Sequence, residues 1–388
     1  MDETRADRIE WVADSCALLT QITQEFKRSR PFEGLTIGTG IHLEPKTVAL
    51  VMTLRAGGAK VVVSGNLSST QPASADFLRA HGITVHAEQT TDPKRHKAML
   101  QKVLDEKPQL LLDNGGDLFA LYLDAPYPGL LGGTEETTSG RMRLLPLRDK
   151  LDMPILVIND SPIKQFGENR HAVGQSMFES YMRLTNRSTN GKRVTVFGYG
   201  PCGEGVASSF RNAYSVVSVC EVDPVLRLEA HLDGFLTPSR AQALASADVI
   251  VTETGAVDVL TAADVQHLKD GVILLNGGHF PTEIDFAGIT GSPDVAQRRD
   301  IDGGALTTLT LNSGKRLTLA TGGHMANLAG PRPLGNSIEA MDFGFALQAK
   351  SLDRVAQGGV TRQDCVVPVP RDIDEWVANA YLDMRAEA

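Results

Sequence analysis

The sequence predicts an α/β protein built from two doubly wound parallel sheets. Three observations carry this reading. Short apolar runs alternate with helix-like stretches over most of the 388 residues, the pattern of a parallel sheet covered by helices on both faces. A polar break, Asn186-Arg187-Ser188-Thr189-Asn190-Gly191, interrupts that rhythm, and a second strand–helix series follows it. The length also suits two domains of ordinary size.

In the first series, residues 35–38, 60–63, 84–86 and 109–112 read as strands, and 45–55, 73–80 and 94–104 as helices. Loops after the strands of such a sheet carry its chemistry. Two of them are unusually polar: Gly40-Ile41-His42-Leu43-Glu44 and Asp113-Asn114-Gly115-Gly116-Asp117. A long helix is expected over 169–184. In the second series, 193–197, 216–220, 249–252 and 272–275 read as strands and 203–212 as a helix. Residues 306–311 and 316–320 form a hairpin about Asn312-Ser313-Gly314. Helices at 337–351 and 372–385 complete the reading. It gives a first domain of residues 1–170 and 330–365, a second of 171–329, and a C-terminal helical segment, 366–388.

Hydrophobic residues make up 42% and charged residues 22%, enough apolar material for full cores. The net charge of -9 disfavours nucleic acid and anionic membranes as partners, because both require a basic surface. Cys16, Cys202, Cys220 and Cys365 are scattered without metal-ligand spacing, so no metal is expected and a reducing cytoplasm fits. Met1-Asp2-Glu3-Thr4-Arg5 does not resemble a secretory leader. No apolar run approaches the roughly 20 residues of a membrane helix.

The strongest motif is Gly198-x-Gly200-x-x-Gly203, placed after the strand at 193–197 and opening the next helix through Pro201 and Cys202. The first glycine permits the tight turn, the second lets a phosphate approach the backbone, and the third lets helix and strand pack closely. The helix N-terminus then offers free N–H groups to a pyrophosphate. Glu221 ends the following strand, 18 residues after Gly203. An acid there binds ribose hydroxyls and repels a 2′-phosphate. The second domain is therefore expected to be a Rossmann domain that binds NAD rather than NADP.

Several collinear segments together resemble the S-adenosylhomocysteine hydrolase (adenosylhomocysteinase) family. They are Asn66 with Ser69-Thr70-Gln71, Asp113 to Leu118, Thr134 to Gly140, Asn159-Asp160-Ser161, Gly198 to Gly205, Glu221 to Pro224, Thr254-Gly255, and Asn276 to Phe280 with Glu283-Ile284-Asp285. The resemblance implies a tightly held, recycled NAD. It also implies a nucleoside substrate, adenine-based by preference, oxidised at the sugar 3′ carbon so that the 4′ proton becomes acidic and the 5′ substituent leaves. It implies a homo-oligomer, a dimer or tetramer.

Carried over residue by residue, the resemblance places Lys164 beside the 3′ hydroxyl, Glu136 on the sugar hydroxyls, and Asn169 near sugar and nicotinamide. It places His42 on the 5′ side and His279 near the leaving group. Thr137, Thr138, Ser139, Thr254, Gly277 and Asn327 fall to NAD. Taken singly, Lys164 and Glu136 also read as a surface pair, the two histidines as structural, and Thr137-Thr138-Ser139 as a helix cap.

Departures from the family pattern gather on the substrate side. Asn114 replaces the expected aspartate, and an amide exchanges no proton near neutral pH. Glu168 replaces an aspartate and Val173 a cysteine. Glu44 stands for a threonine, and Lys46 for an acid or amide that reads the base. The gate loop reduces to Gly330-Pro331-Arg332-Pro333-Leu334-Gly335 with His324 upstream, and a Lys/Tyr-rich tail has no counterpart. The expectation is a nucleoside dehydratase of antibiotic-type metabolism that stops after elimination. The alternatives are a true adenosylhomocysteinase, a plain nucleoside dehydrogenase and an NAD-binding regulatory protein.

Overall fold

The computed structural model describes residues 3–386. The chain divides into two compact units, residues 1–165 with 338–388, and residues 166–337. These divisions fall a little before the expected 170/171 boundary and a little after the expected 329/330 boundary.

The first unit contains strands β1 (Thr36–Gly40), β2 (Lys60–Ser64), β3 (Thr84–Val85), β4 (Leu110–Asp113), β5 (Gly132–Glu135) and β6 (Ile155–Val157). With Cys365–Pro368 they form one seven-stranded sheet, ordered Cys365–Pro368, β6, β5, β4, β1, β2, β3. All its pairings are parallel. Successive residues point to opposite faces of a strand. Val61, Val63, Leu110 and Leu112 therefore enter one core, with the helices Ala17–Ser29, Pro45–Ala56 and Ile338–Ala356. Val62 and Leu111 enter another, with the helices Pro93–Asp105 and Asp117–Asp124. The chain leaves β1 toward β2 on one side, and β4 lies on the other, so the direction of winding reverses between β1 and β4.

The second unit contains β7 (Arg193–Phe197), β8 (Val216–Cys220), β9 (Val249–Thr252), β10 (Val272–Asn276), β11 (Val295–Ile301), β12 (Leu306–Leu311) and β13 (Arg316–Ala320). Their order is β11, β12, β13, β10, β9, β7, β8. β12 and β13 pair antiparallel, as the Asn312-Ser313-Gly314 turn predicts, and β11 adds to their edge antiparallel. The others pair in parallel, and the winding reverses between β7 and β9. Val249 and Val251 face one core and Ile250 the other. The fold is therefore α/β with two parallel-dominated sheets, the second of Rossmann type.

Two sequence expectations need correction. The helix expected from Asn169 does not run as one α-helix: Lys164–Ala172 is a π-helix, and the α-helix begins at Val173. Wide π turns carry no composition signal, and they are frequent at functional sites. Over its described residues, 366–386, the expected C-terminal segment 366–388 is not separate. Cys365–Pro368 is an edge strand paired with β6, and the helix Arg371–Ala386 buries Ile373 and Val377 in the first core.

Candidate active site

Ligands of open α/β sheets bind outside the C-terminal strand ends, where the winding reverses. In the first unit that place is bounded by the loops after β1 and β4, the two polar loops noted from sequence. His42 is half-buried and shares a 2.6 Å hydrogen bond with Ser69 through Nδ1, and its carbonyl accepts from Thr47. Glu44 caps the helix Pro45–Ala56 by accepting from the Lys46 backbone N–H. It also pairs with the Lys46 ammonium at 2.9 Å, both side chains being buried. Such a pair keeps its geometry only if the surrounding fold holds it, since desolvation opposes it.

A chain of buried side chains continues from there. Asn66 donates to Asn114 Oδ1 at 2.7 Å, Asn114 Nδ2 donates to Glu136 Oε2 at 2.7 Å, and Lys164 Nζ donates to Glu136 Oε1 at 3.2 Å. Lys164 and Glu136 are 4% and 3% exposed, which removes the reading of them as a surface pair.

Two buried acids hold this chain in place. Asp113 and Glu135 face each other in the β4–β5 register. Asp113 accepts from the Asn114 and Phe119 N–H groups. Glu135 accepts from Gly115, Gly116 and Thr137 N–H groups and from the Thr137 hydroxyl. Burial and the nearby Asp117 charge push the Asp113 carboxyl up to about 7. Burial, with Asp113 beside it, drives Glu135 well above the usual carboxylate range. A shared proton relieves the repulsion between two such groups.

Thr137 caps the helix Thr138–Leu144, so its hydroxyl is engaged by the Gly140 N–H and by Glu135. Ser139 lies 3.1 Å from it, and Thr138 is exposed. The turn that carries Lys164 is pinned from the C-terminal helix. Asp374 accepts from the Ser161 hydroxyl, and Ser161 Oγ accepts from the Lys164 N–H at 3.4 Å.

In the second unit, Gly198 adopts a φ of 97° and donates its N–H to Cys220 O. A Cβ on Gly203 would sit 2.1 Å from the Gly198 carbonyl oxygen, so only glycine lets helix and strand meet there. A Cβ on Gly200 would meet nothing within 4 Å, which leaves the backbone open to a phosphate. Gly200 N-caps the helix Pro201–Asn212, and Pro201 occupies its first turn, where a missing N–H costs nothing. Cys202 follows, half-buried. Glu221 is oriented by accepting from the Tyr199, Val222 and Asp223 N–H groups.

The loops after β9 and β10 are cross-braced. Glu283 accepts from the Thr254 N–H and hydroxyl and from the Gly255 N–H. Asn276 accepts from Gly278 N–H and donates to the carbonyls of Gly278, Phe280 and Gly323. These bonds fix Gly277 and place the half-buried His279 edge-on to Phe280 at 4.6 Å. His324 is half-buried, and its desolvation lowers the imidazole pKa.

A second polar chain runs through this unit. Asn336 donates to Glu168 at 3.3 Å and accepts from Ser176 at 2.9 Å, and Asn327 donates to Ser176 at 3.0 Å. Glu168 and Asn169 are buried on the π-helix. Asn327 Oδ1 is buried with no hydrogen-bond partner. An unmet buried acceptor suits a carboxamide N–H such as that of nicotinamide. Together with the open backbone at Gly200 and the anchored Glu221, it shows that these residues fit NAD.

Comparison with known proteins agrees with this geometry. Residues 6–128 match the family described as S-adenosyl-L-homocysteine hydrolase. Residues 169–332 match its NAD-binding domain. The adenosylhomocysteinase of Thermotoga maritima is 39% identical over 382 residues, covering 97% of this chain and 93% of that protein. The S-inosyl-L-homocysteine hydrolase of Methanopyrus kandleri is 38% identical over 384 residues, covering 97% and 89%. The adenosylhomocysteinase of Pyrococcus abyssi is 37% identical over 385 residues, covering 97% and 89%.

The chain belongs to the adenosylhomocysteinase family. Its cofactor is NAD. Of the substrate-side residues read from sequence, the first unit brings together Asn114, Glu136 and Lys164 in one hydrogen-bonded chain, with Glu44 paired to Lys46. Glu168, Asn169, His279 and His324 lie in the second unit. For an adenosylhomocysteinase-type site, sequence reading gave no role to Asp113, Glu135, Asp374 and Asn336, which position other groups. Asp113 and Glu135 stood inside recognisable motifs. Asp374 and Asn336 carry no local signal, because their partners lie far away along the chain.

Proposed function

We propose that the protein is an NAD-dependent nucleoside lyase that removes water from the terminal CH2OH of its sugar, in the biosynthesis of a nucleoside antibiotic. The sugar is oxidised at its 3′ hydroxyl, loses the 4′ proton, expels the 5′ oxygen as water and regains the hydride at C3′. The net change is loss of one water, so no external oxidant is needed. Bound NAD would accept the C3′ hydride and return it after elimination. Gly198, Gly200, Gly203, Glu221, Thr254 and Asn327 would hold it.

The observation that carries this reading is Asn114. It accepts from Asn66 and donates to Glu136, so it anchors the chain as a neutral amide and exchanges no proton. The family resemblance expects an acid at that position. Its replacement removes a proton-transfer group while leaving Lys164 and Glu136 in place. Glu136, held by Asn114 and Lys164, receives the sugar hydroxyls. Lys164 moves the 3′-hydroxyl proton, and Ser69 fixes the ring of His42 on the 5′ side.

The identity to hydrolases over nearly the whole chain favours a second reading, hydrolysis of S-adenosyl- or S-inosylhomocysteine. One experiment separates the two. The purified protein is incubated with each thioether and with a panel of hexulose and pentose nucleosides, and products are followed by mass spectrometry and thiol titration. The lyase reading expects a nucleoside product lighter by one water, with no thiol released. Brisk homocysteine release would replace it with the hydrolase reading. Cofactor that is never reduced by any nucleoside would point to a regulatory protein. A 3′-keto product with stoichiometric NADH would point to a plain dehydrogenase.

A further inference from the structure

Glu253 follows β9, at the edge of the place where the second sheet reverses its winding. Its N–H donates to Phe197 O at 2.8 Å, and its own carbonyl lies 2.5 Å from where a Gly198 Cβ would stand. It thus adjoins the glycine turn directly. The residue as a whole is half-buried, but its carboxyl Oε1 is enclosed and has no hydrogen-bond partner. The carboxyl lies over Gly277: a Cβ there would be 1.8 Å from Oε1. Glycine at 277 is what lets the carboxyl lie in this position.

Its neighbour Glu283 shows the contrast. Glu283 accepts three hydrogen bonds from Thr254 and Gly255, the surroundings a carboxylate wants. Glu253 is given no such donors. Burial, with Glu283 nearby, raises its carboxyl pKa well above the usual range. A second carboxylate would also repel a pyrophosphate, whereas a neutral carboxyl has an O–H to donate.

We propose that Glu253 is a further dinucleotide-binding residue, whose carboxyl O–H donates to an oxygen of bound NAD beside the Gly198–Gly203 turn. The inference rests on the NAD reading and extends it to a residue at which sequence motifs are silent. A donor at the pyrophosphate end adds affinity without adding charge, and it stiffens the turn against Gly277.

The test compares wild type, E253A, E253Q and G277A, each stripped of cofactor, by titration with NAD and by NAD retained per chain on purification. Loss of one buried hydrogen bond weakens binding by about tenfold. E253A should show that loss, and G277A should match it because the new methyl displaces the carboxyl. E253Q, a neutral donor of the same shape, should bind within about twofold of wild type, a margin small beside the tenfold loss. Matching urea midpoints of the cofactor-free forms show that folding is intact. Wild-type affinity in E253A, or E253Q as weak as E253A, would overturn the proposal. A wild-type chain that binds no NAD would overturn the cofactor reading itself, a separate and distinguishable result.

Discussion

The two units contain similar buried polar chains that end differently. In the first, Asn66, Asn114, Glu136 and Lys164 close on one another, and both oxygens of Glu136 have donors. In the second, the chain Glu168–Asn336–Ser176–Asn327 ends on an acceptor atom with no partner. A closed chain, braced here by Asp113, Glu135 and Asp374, holds its side chains in one geometry without a ligand. An unmet buried acceptor costs about 1–3 kcal/mol until a donor arrives. Under the proposed assignment, the substrate residues are set by one another, whereas the cofactor residues are set to be completed by NAD.

The largest test of this contrast is Lys164→Ala. Removing one end of the closed chain should lower cofactor reduction by nucleoside about 10³-fold, the scale of lost acid–base catalysis. NAD content should not change. Absorbance of bound cofactor and NAD per chain report the two separately, and parallel losses would break the distinction between the chains.

Asn114→Asp probes the closed chain from within. It puts a carboxylate where the amide now lies 2.7 Å from Glu136 Oε2. One of the two acids must then keep a proton in the folded state, although an unfolded carboxyl ionises near pH 4. The variant should match wild type below about pH 4 and lose about 1–3 kcal/mol as pH rises through the raised folded value. Urea unfolding at several pH values measures this. Stability that does not depend on pH would mean the chain is not closed as described.

On the open side, Asn327→Ala removes the unmet acceptor. NAD should bind about tenfold more weakly. The cofactor-free form should lose about 1 kcal/mol as well, because the deleted amide takes with it the Nδ2 donor to Ser176. Titration with NAD and urea unfolding check both halves of the statement.

The last test concerns the acids beneath the closed chain. Asp113, pushed up to about 7, and Glu135, raised with it, bind protons in the folded state that the unfolded chain has released. Their contribution is therefore fully present below about pH 4 and fades as pH rises through about 7. The urea midpoint should fall steadily across that range. A midpoint that climbs instead would show the pair to be ionised and stabilised by its N–H donors.

Most strands were legible because the residues buried on both faces read as continuous apolar runs, as at Val61-Val62-Val63 and Leu110-Leu111-Leu112. β5 was not: Gly132-Gly133-Thr134-Glu135 has no apolar period, and its pairing with β4 and β6 places it. The N-terminal helices Glu3–Asp14 and Ala17–Ser29 also escaped notice. The cap of the second is supplied by Asp342 from far along the chain, which accepts from the Leu18 and Leu19 N–H groups. At the candidate site, the glycine turn was readable because Gly198 and Gly203 answer local steric needs and Gly200 leaves the backbone open.

By itself, the sequence determined the two-sheet architecture, the glycine turn with its acid at Glu221, and the family. Each of these is written in short windows or in collinear order, where local sterics and burial periodicity act on neighbouring residues. Only the tertiary structure decided that Asn114 bridges Asn66 and Glu136, that Asp374 braces the turn bearing Lys164, and that Asn327 and Glu253 hold unmet oxygens. Those outcomes depend on which distant strand ends converge and which polar atoms are left over when they do. A hydrogen bond reaches about 3 Å, so its presence or absence is decided by packing rather than by spacing along the chain.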